Sequence, residues 1–329
     1  YISMFPQLVA GPIVRFKSIA ISIRERTRNR EKFLHGVCLF IVGLSYKILL
    51  ANNFGYVADE VFALQSENLS ASLSWLGLLS YTLQIYFDFN GYSIMAIGLG
   101  HIFGFKFPIN FNYPYISKSI TEFWRRWHIT LSVWFRDYLY IPLGGNRVGK
   151  VRTYINLLIV FTLCGIWHGA SWIFLIWGLY QGLFLVIERL GFKDILKKLP
   201  KFVQHAYASF IFVIGWLIFR STSLEQFGYY FRSLFGFSGN TIETISFGEL
   251  VTTKFTIAFI AGIILCTPIV AKLLYKVKVN KPALLSDLNV NDYRLRSNVL
   301  WYTGLLFFLV LSVANLCNQS YNPFIYFRF

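Results

Sequence analysis

The sequence predicts an all-α fold, a polytopic bundle of helices that cross a membrane. Of the 329 residues, 56% are hydrophobic and only 14% are charged, whereas about a quarter of the residues in a soluble globular domain are charged. The apolar residues lie in runs of roughly 14 to 20, long enough for helices that span the hydrocarbon layer. Glycines, prolines and single polar residues interrupt several runs, which predicts broken or re-entrant helices among the spans.

The positive charge of the chain favours a lipid bilayer rather than a nucleic acid as its partner. The formal net charge is +16, but Lys and Arg lie in short stretches between apolar runs, as the positive-inside bias predicts. No compact basic domain lies outside these runs, which argues against nucleic-acid binding; anionic headgroups are the expected counterpart. The four cysteines lie singly, a spacing that predicts neither a metal site nor a disulfide scaffold.

The first third of the chain opens with an irregular segment and a candidate span. Pro6 and Pro12 break any regular helix near the start. A basic stretch, residues 24–32, is placed on the cytoplasmic side. Residues 33–51 are predicted to cross the membrane, with Lys47 near the end, where its side chain can reach the interface.

The next apolar run contains an interruption that predicts a change in backbone geometry. Residues 52–70 contain acidic but no basic residues, which places them on the outer side. Apolar sequence then extends from 71 to 105, interrupted by DFNGYS at 88–93. An aspartate and a glycine at this depth predict a broken helix or a close approach of two backbones. Asp88 would then orient a catalytic group or cap the broken helix.

The most unusual stretch is 121–145, which combines aromatic and charged residues among segments suited to lipid. Thr121 is predicted to cap a helix. On that helix Arg125, His128 and Ser132 share one face, because residues three and four apart are neighbours. The helix is expected to lie in the membrane interface or to re-enter the protein.

The second half of the chain consists of further predicted spans. Residues 154–187 are about twice as long as one span requires, so we expect two helices with a turn near GIWHGASW, which contains His168. Later spans are predicted at 207–219, 255–274 and 298–316. No linker divides the chain, so residues 1–329 are expected to form a single membrane-embedded domain.

Two histidines are candidate catalytic residues, because an ionisable group at membrane depth is costly enough to indicate function. Each of His128 and His168 could equally form a structural hydrogen bond inside a helix bundle. Around His168, glycines permit close backbone contact, and Trp167 and Trp172 are expected to wall a dry pocket. A general base there could take a proton from a hydroxyl or a thiol.

A cluster of arginines in the same stretch has two interpretations. Arg125, Arg126 and Arg136 could bind an anionic donor, such as a phosphorylated or thioester carrier. They could equally contact lipid headgroups or pair with Glu122 and Asp137.

Several motifs together resemble the membrane-bound O-acyltransferase (MBOAT) family, in particular its bacterial branch of alginate and peptidoglycan O-acetylation membrane subunits. They are FPQLVAGPIVR, YTLQIYFDFNGYSIMAIGLGHIFGFKFPINFNYPYIS, FWRRWHITLSVWFRDYLYIPLGG and LCGIWHGASW, in that order along the chain. The resemblance implies a ring of helices around a thinned centre with a channel, and it implies that His168 is catalytic and that His128 is the histidine of the earlier motif. It also implies an acyl thioester donor such as acetyl-CoA, no bound cofactor, a polysaccharide acceptor and an exported acetyltransferase partner.

The chain differs from its relatives in two features, and two other functions are alternatives to acetyl transfer. Relatives have further spans before FPQLVAGPIVR, so N-terminal transmembrane helices are expected to be missing, and Ile94 stands where relatives often carry Asp. The expected location is the cytoplasmic membrane. The alternatives are a transporter without catalysis, or D-alanyl transfer to teichoic acid. Besides the two histidines, the residues expected to shape the substrate or donor site are Trp124, Arg125, Arg126, Trp127, Arg136, Asp137, Trp167 and Asp88.

Overall fold

The computed structural model describes residues 4–8, 11–26, 29–237, 245–276, 299–318 and 321–323. Within these ranges all regular elements are helical, which confirms the all-α prediction. Five helical segments in the described ranges are long and apolar enough to cross a membrane. They are Arg30–Phe62, Lys150–His168, Trp172–Lys198, Lys201–Arg220 and Val299–Asn318.

The first long segment continues well beyond the span that the sequence predicts. After a short helix α1 (Phe16–Arg24), helix α2 (Arg30–Ser45) begins at Asn29, whose side chain caps the first turn. A π-helical turn, Tyr46–Ala51, then leads directly into α3 (Asn52–Phe62). The first part of the segment that the sequence places on the outer side, residues 52–70, is therefore helical.

Helix α4 (Ala71–Ile102) is a single helix, so the predicted break at 88–93 is wrong. The alternative of close backbone contact is confirmed, because α4 packs against α2 through glycines. A Cβ atom built on Gly43 would lie 2.4 Å from the carbonyl oxygen of Gly91, and one on Gly91 would lie 2.8 Å from that of Gly43. Gly91, at the predicted break, therefore allows the two helices to pack closely.

The stretch that carries His128 forms two short helices instead of the one predicted. Helix α5 (Ile120–Arg126) ends before His128, and α6 (Ile129–Phe135) begins after it. His128 has a φ angle of 42°, a left-handed conformation that interrupts a right-handed helix. The N-cap of α5 is Ser119, whose hydroxyl accepts from the Glu122 N–H at 3.0 Å, so the predicted cap at Thr121 is wrong.

The predicted helix pair around His168 is confirmed. Helix α7 (Lys150–His168) and helix α8 (Trp172–Ile187) pack against each other on either side of a short turn. A Cβ atom on Gly165 would lie 2.3 Å from the carbonyl oxygen of Phe174. The close contact of these backbones therefore depends on glycine, as the sequence predicts.

The remaining helices complete the bundle and include one break that the sequence analysis missed. Besides the short helices Phe5–Leu8, Lys193–Lys198 and Phe247–Leu250, they are α9 (Lys201–Arg220), α10 (Leu224–Leu234), α11 (Thr253–Leu265), α12 (Ile269–Lys276) and α13 (Val299–Asn318). The predicted span over 255–274 is interrupted between α11 and α12. Pro268 explains the interruption, because proline lacks an N–H and disfavours a helical conformation at the residue before it.

Candidate active site

His128 and His168 border the same small cavity, although they are far apart in sequence. The cavity has a volume of about 20 Å³, enough for about one water molecule. Residues from α4, the α5–α6 junction, α7, α8 and α9 form its wall. They are Ile85, Phe89, Trp124, Trp127, His128, Leu131, His168, Trp177, Trp216 and Phe219.

The position of His128 follows from the break between α5 and α6. Its side chain is buried, with only 4% of the residue exposed. The ring lies perpendicular to Phe89, with 4.7 Å between the ring centroids. On the other side, Nδ1 lies 3.0 Å from Oδ1 of the buried Asn110. One ring nitrogen is therefore held by a side-chain amide.

His168 is the last residue of α7 and is partly buried among aromatic rings. Its ring packs edge-on against Trp177, with 5.2 Å between centroids, and against Phe219, with 5.1 Å. Trp177 belongs to α8 and Phe219 to α9. The imidazole is thus located by the contact of three helices.

Tryptophans line the cavity, but the set differs from the tryptophans that the sequence indicated. Trp124 lines it as expected, and its Nε1 donates to Oε1 of Gln181 at 3.2 Å. Trp172 is 76% exposed, so its predicted place in the wall is wrong, and Trp167, 52% exposed, is not among the residues that line the cavity. Trp216 on α9 belongs to the wall, and no local pattern around His168 could have identified it.

Two of the three arginines in the cluster form ion pairs with acidic neighbours. Arg126 forms an ion pair of 2.9 Å with Glu122, and its guanidinium also donates to the carbonyl oxygen of Asn112 at 3.0 Å. Arg125 is exposed. Of the alternatives that the sequence left open, pairing with an acidic neighbour therefore holds for Arg126 and also for Arg136, which pairs with Asp137.

Asp137 is bonded to two arginines at the surface. It accepts from Nε of Arg136 at 2.6 Å and also from Arg15, which lies in the N-terminal GPIVR segment. These hydrogen bonds, that from Arg136 above all, lower the pKa of Asp137 to about 2. Asp137 therefore joins two segments of the chain as an ionised carboxylate. The sequence analysis did not identify Arg15.

Asp88 is fully buried on α4 and forms an ion pair of 2.8 Å with Lys47. Lys47 is also buried, so the prediction that its side chain reaches the membrane interface is wrong. The same ammonium donates to the carbonyl oxygen of Pro323. Asp88 does not line the cavity, but it immediately precedes Phe89, which does.

The site is suited to proton transfer in a dry environment. Two imidazoles border an otherwise aromatic and aliphatic cavity, and a neutral imidazole can accept a proton from a hydroxyl or a thiol. Exclusion of bulk water strengthens the electrostatic interactions there. Among the described residues, no group of three or more His, Cys, Asp or Glu side chains could hold a metal ion.

The chain matches one known protein family and several curated proteins. The model of the MBOAT, membrane-bound O-acyltransferase family, matches residues 1–232. The probable alginate O-acetylase AlgI of Azotobacter vinelandii is 37% identical over 348 residues, which cover the whole chain and 69% of that protein.

Two further relatives match smaller parts of the chain. The peptidoglycan O-acetyltransferase of Helicobacter pylori is 40% identical over 253 residues, or 75% of the chain and 48% of that protein. The teichoic acid D-alanyltransferase of Streptococcus thermophilus is 34% identical over 202 residues, or 57% of the chain and 48% of that protein. The O-acetylating relatives therefore match more of the chain than the D-alanylating one.

Proposed function

Because the chain belongs to the membrane-bound O-acyltransferase family, we propose that it moves acetyl groups from a cytoplasmic thioester donor to hydroxyl groups of a cell-envelope or exported polysaccharide. The observation that carries this proposal is the pair of imidazoles on one cavity that is otherwise lined by aromatic and aliphatic side chains. Acyl transfer to a hydroxyl needs a group that takes the hydroxyl proton, and imidazole is the side chain best suited to do so near neutral pH.

We assign different roles to the two histidines. His168 acts as general base or acyl-relay residue, because its ring lies where α7, α8 and α9 meet at the cavity. His128 positions the donor or the acceptor, because its ring is fixed by Asn110. Trp124 and Trp127 shape the cavity and keep out water.

The surroundings of the site follow from the same proposal. The acyl donor is acetyl-CoA or another acyl thioester, and the exposed Arg125 offers positive charge to it, while Arg136, paired with Asp137, shapes the site. The protein works as a multi-pass component of the cytoplasmic membrane, as a single domain, beside an exported acetyltransferase that completes transfer to the polysaccharide. The names of the O-acetylating relatives support this assignment over D-alanyl transfer.

The experiment that tests the proposal is ester analysis of envelope polysaccharides from cells that carry native or His168→Ala full-length protein. We expect one type of acetyl ester to disappear from one polymer in the variant at an unchanged protein level. His205→Ala is the matched control, because His205 bonds to the carbonyl oxygen of Ser117 and does not line the cavity. Unchanged acetylation in the His168 variant would refute the assignment.

The same analysis separates the alternatives. Loss of D-alanyl esters instead of acetyl esters would indicate D-alanyl transfer, the activity for which the teichoic acid relative is named. A transporter would carry an intact solute without consuming an acyl thioester. Membranes with the native protein and membranes with His168→Ala would then consume acyl thioester to the same extent.

A further inference from the structure

Asn110 is a buried amide that contacts both the ring and the main chain around His128. Its Oδ1 lies 3.0 Å from Nδ1 of His128, 3.2 Å from the backbone N of Thr130 and 2.9 Å from Oγ1 of Thr130. The main-chain carbonyl oxygen of Asn110 accepts from the backbone N–H of Ile129 at 2.9 Å. Asn110 itself is 1% exposed. These contacts hold His128 in its left-handed conformation.

The hydrogen bonds determine which end of the Asn110 amide faces His128. The backbone N–H of Thr130 can only donate, so the amide atom opposite it must be the oxygen. The amide nitrogen, at the other end, donates to Oγ of Ser93 at 3.2 Å. A flipped amide would set an NH₂ group against the N–H of Thr130. The orientation therefore follows from the chemistry of the backbone.

The orientation of Asn110 determines the tautomer of His128. A carbonyl oxygen cannot donate, so Nδ1 of His128 must carry the proton in the bond to Oδ1. In the neutral ring, the proton on Nδ1 leaves a lone pair on Nε2. Within the described part of the chain no residue forms a hydrogen bond with Nε2, and His128 borders the cavity.

We infer that Asn110 is a positioning residue that presents Nε2 of His128 to the cavity as a hydrogen-bond acceptor, and that His128 therefore holds the hydroxyl of the acyl acceptor. A thioester carbonyl has no hydrogen to donate to Nε2, whereas a hydroxyl has one. This inference rests on the proposed function and assigns His128 to the acceptor side of the reaction. Because that hydroxyl has a single proton, His168 has the acyl-relay role: its ring nitrogen takes the acyl group as the C–S bond breaks, and its own proton leaves with the departing thiolate. The C–N bond to His168 then breaks as the new C–O bond forms, and the hydroxyl proton passes through Nε2 of His128 back to His168.

The tautomer can be measured without any assay of activity. Nitrogen NMR of the full chain, labelled with ¹⁵N-histidine and held in lipid nanodiscs, distinguishes protonated from unprotonated ring nitrogens. The signals that disappear in His128→Gln identify His128. We expect a protonated Nδ1 and an unprotonated Nε2 in the neutral ring. A protonated Nε2 would overturn the inference, whatever the function of the protein.

The role in catalysis is tested by the pH profile of acyl transfer. Asn110→Asp keeps an oxygen against Nδ1–H but adds a negative charge, which makes the ring more basic. We expect membranes that contain the variant to release thiol from acetyl-CoA with the acidic limb of the profile moved up by about 1–3 pH units. Asn110→Leu, which has no acceptor oxygen, should lose about 10²-fold in rate.

Asn112→Asp is the matched control, because it adds the same charge two residues away. Only the main chain of Asn112 is hydrogen-bonded within the described residues, to Arg126, so this variant should keep the native profile. If Asn110→Asp also keeps it, Asn110 has only a structural role and the inference fails. If the native protein releases no thiol, the proposed function fails, while the NMR measurement still decides the tautomer.

Discussion

Glu188 is a buried carboxylate that holds the helix leading to His128. It accepts from the backbone N–H groups of Ile120 and Thr121, at 2.5 and 2.9 Å, and from the Thr121 hydroxyl at 2.5 Å. These donors belong to the first turn of α5, where a negative charge also interacts favourably with the helix dipole. The site therefore depends on a residue located well outside the cavity.

Replacing Glu188 should destabilise the protein strongly. Glu188→Ala leaves buried N–H groups without an acceptor, so we expect a loss of about 3 kcal/mol or more. Glu188→Gln keeps one acceptor oxygen and should cost less. The measurement is the temperature at which the detergent-solubilised chain loses its monodisperse elution peak. An equal loss in both variants would contradict a role as acceptor.

The bonds of Asp137 should be insensitive to pH in the physiological range. The pKa of Asp137 is lowered to about 2, so the stability that it contributes is fully present above its ordinary value of about 3.9 and is lost as pH falls through about 2. We expect the difference in melting temperature between native protein and Asp137→Asn to be small and constant from about pH 5 to 8, because exposed ion pairs contribute little. A difference that disappears below about pH 6 would contradict this assignment.

At the scale of elements, the packing of α2 on α4 depends on glycine pairs. Gly43 and Gly91 approach each other's carbonyl oxygens, as do Gly36 and Gly98, seven residues away in each helix. Because the atoms that a Cβ would meet belong to the backbone, a side-chain rotation cannot relieve the clash. The helices would have to separate.

Gly43→Ala should therefore destabilise the bundle even though alanine favours helix. Overpacking of this kind costs about 1–3 kcal/mol, against a gain of up to about 1 kcal/mol from helix propensity. Gly228→Ala on α10 is the matched control, because a Cβ atom there meets nothing within 4 Å; it should leave stability unchanged or raise it. Equal melting temperatures for the two variants would show that α2 and α4 can separate without cost.

At the scale of the whole molecule, the ion pair of Lys47 and Asp88 connects parts of the chain that are far apart. It joins the π-helical turn after α2 to the middle of α4, and Lys47 also contacts Pro323, near the end of the chain. A charge pair buried in an apolar surrounding contributes little net stability, but a single charge left behind is costly.

The double substitution should be less harmful than either single one. Lys47→Met or Asp88→Leu alone should cost about 3–5 kcal/mol, because each removes one member of a buried ion pair and leaves the other charge in place. The combination Lys47→Met with Asp88→Leu should recover most of that loss. Thermal unfolding of the native protein and the three variants in detergent gives the coupling free energy between Lys47 and Asp88. Additive losses would show that the two side chains stabilise the protein independently.

Most of the helices and the family could be predicted from the sequence, whereas the contacts between helices could not. The apolar runs located α2, α7, α8, α9 and α13, and the motifs around His128 and His168 identified the family. The sequence analysis was wrong about the break in α4 and about the single helix through His128. Both errors arose because a glycine, a charge or a left-handed residue acts through a partner distant in sequence, here Gly43, Lys47 and Asn110.

Composition and the length of the apolar runs are enough to predict that the protein consists of helices suited to a membrane, because they decide which segments leave water. The sequence also indicates which two histidines to consider, because ionisable groups are rare in such segments. That His128 and His168 border one cavity, and that Trp177, Trp216 and Phe219 enclose it, became visible only in the folded protein. The physical reason is that the cavity lies where separate helices meet, and their packing depends on glycine contacts and buried hydrogen bonds between residues far apart in sequence.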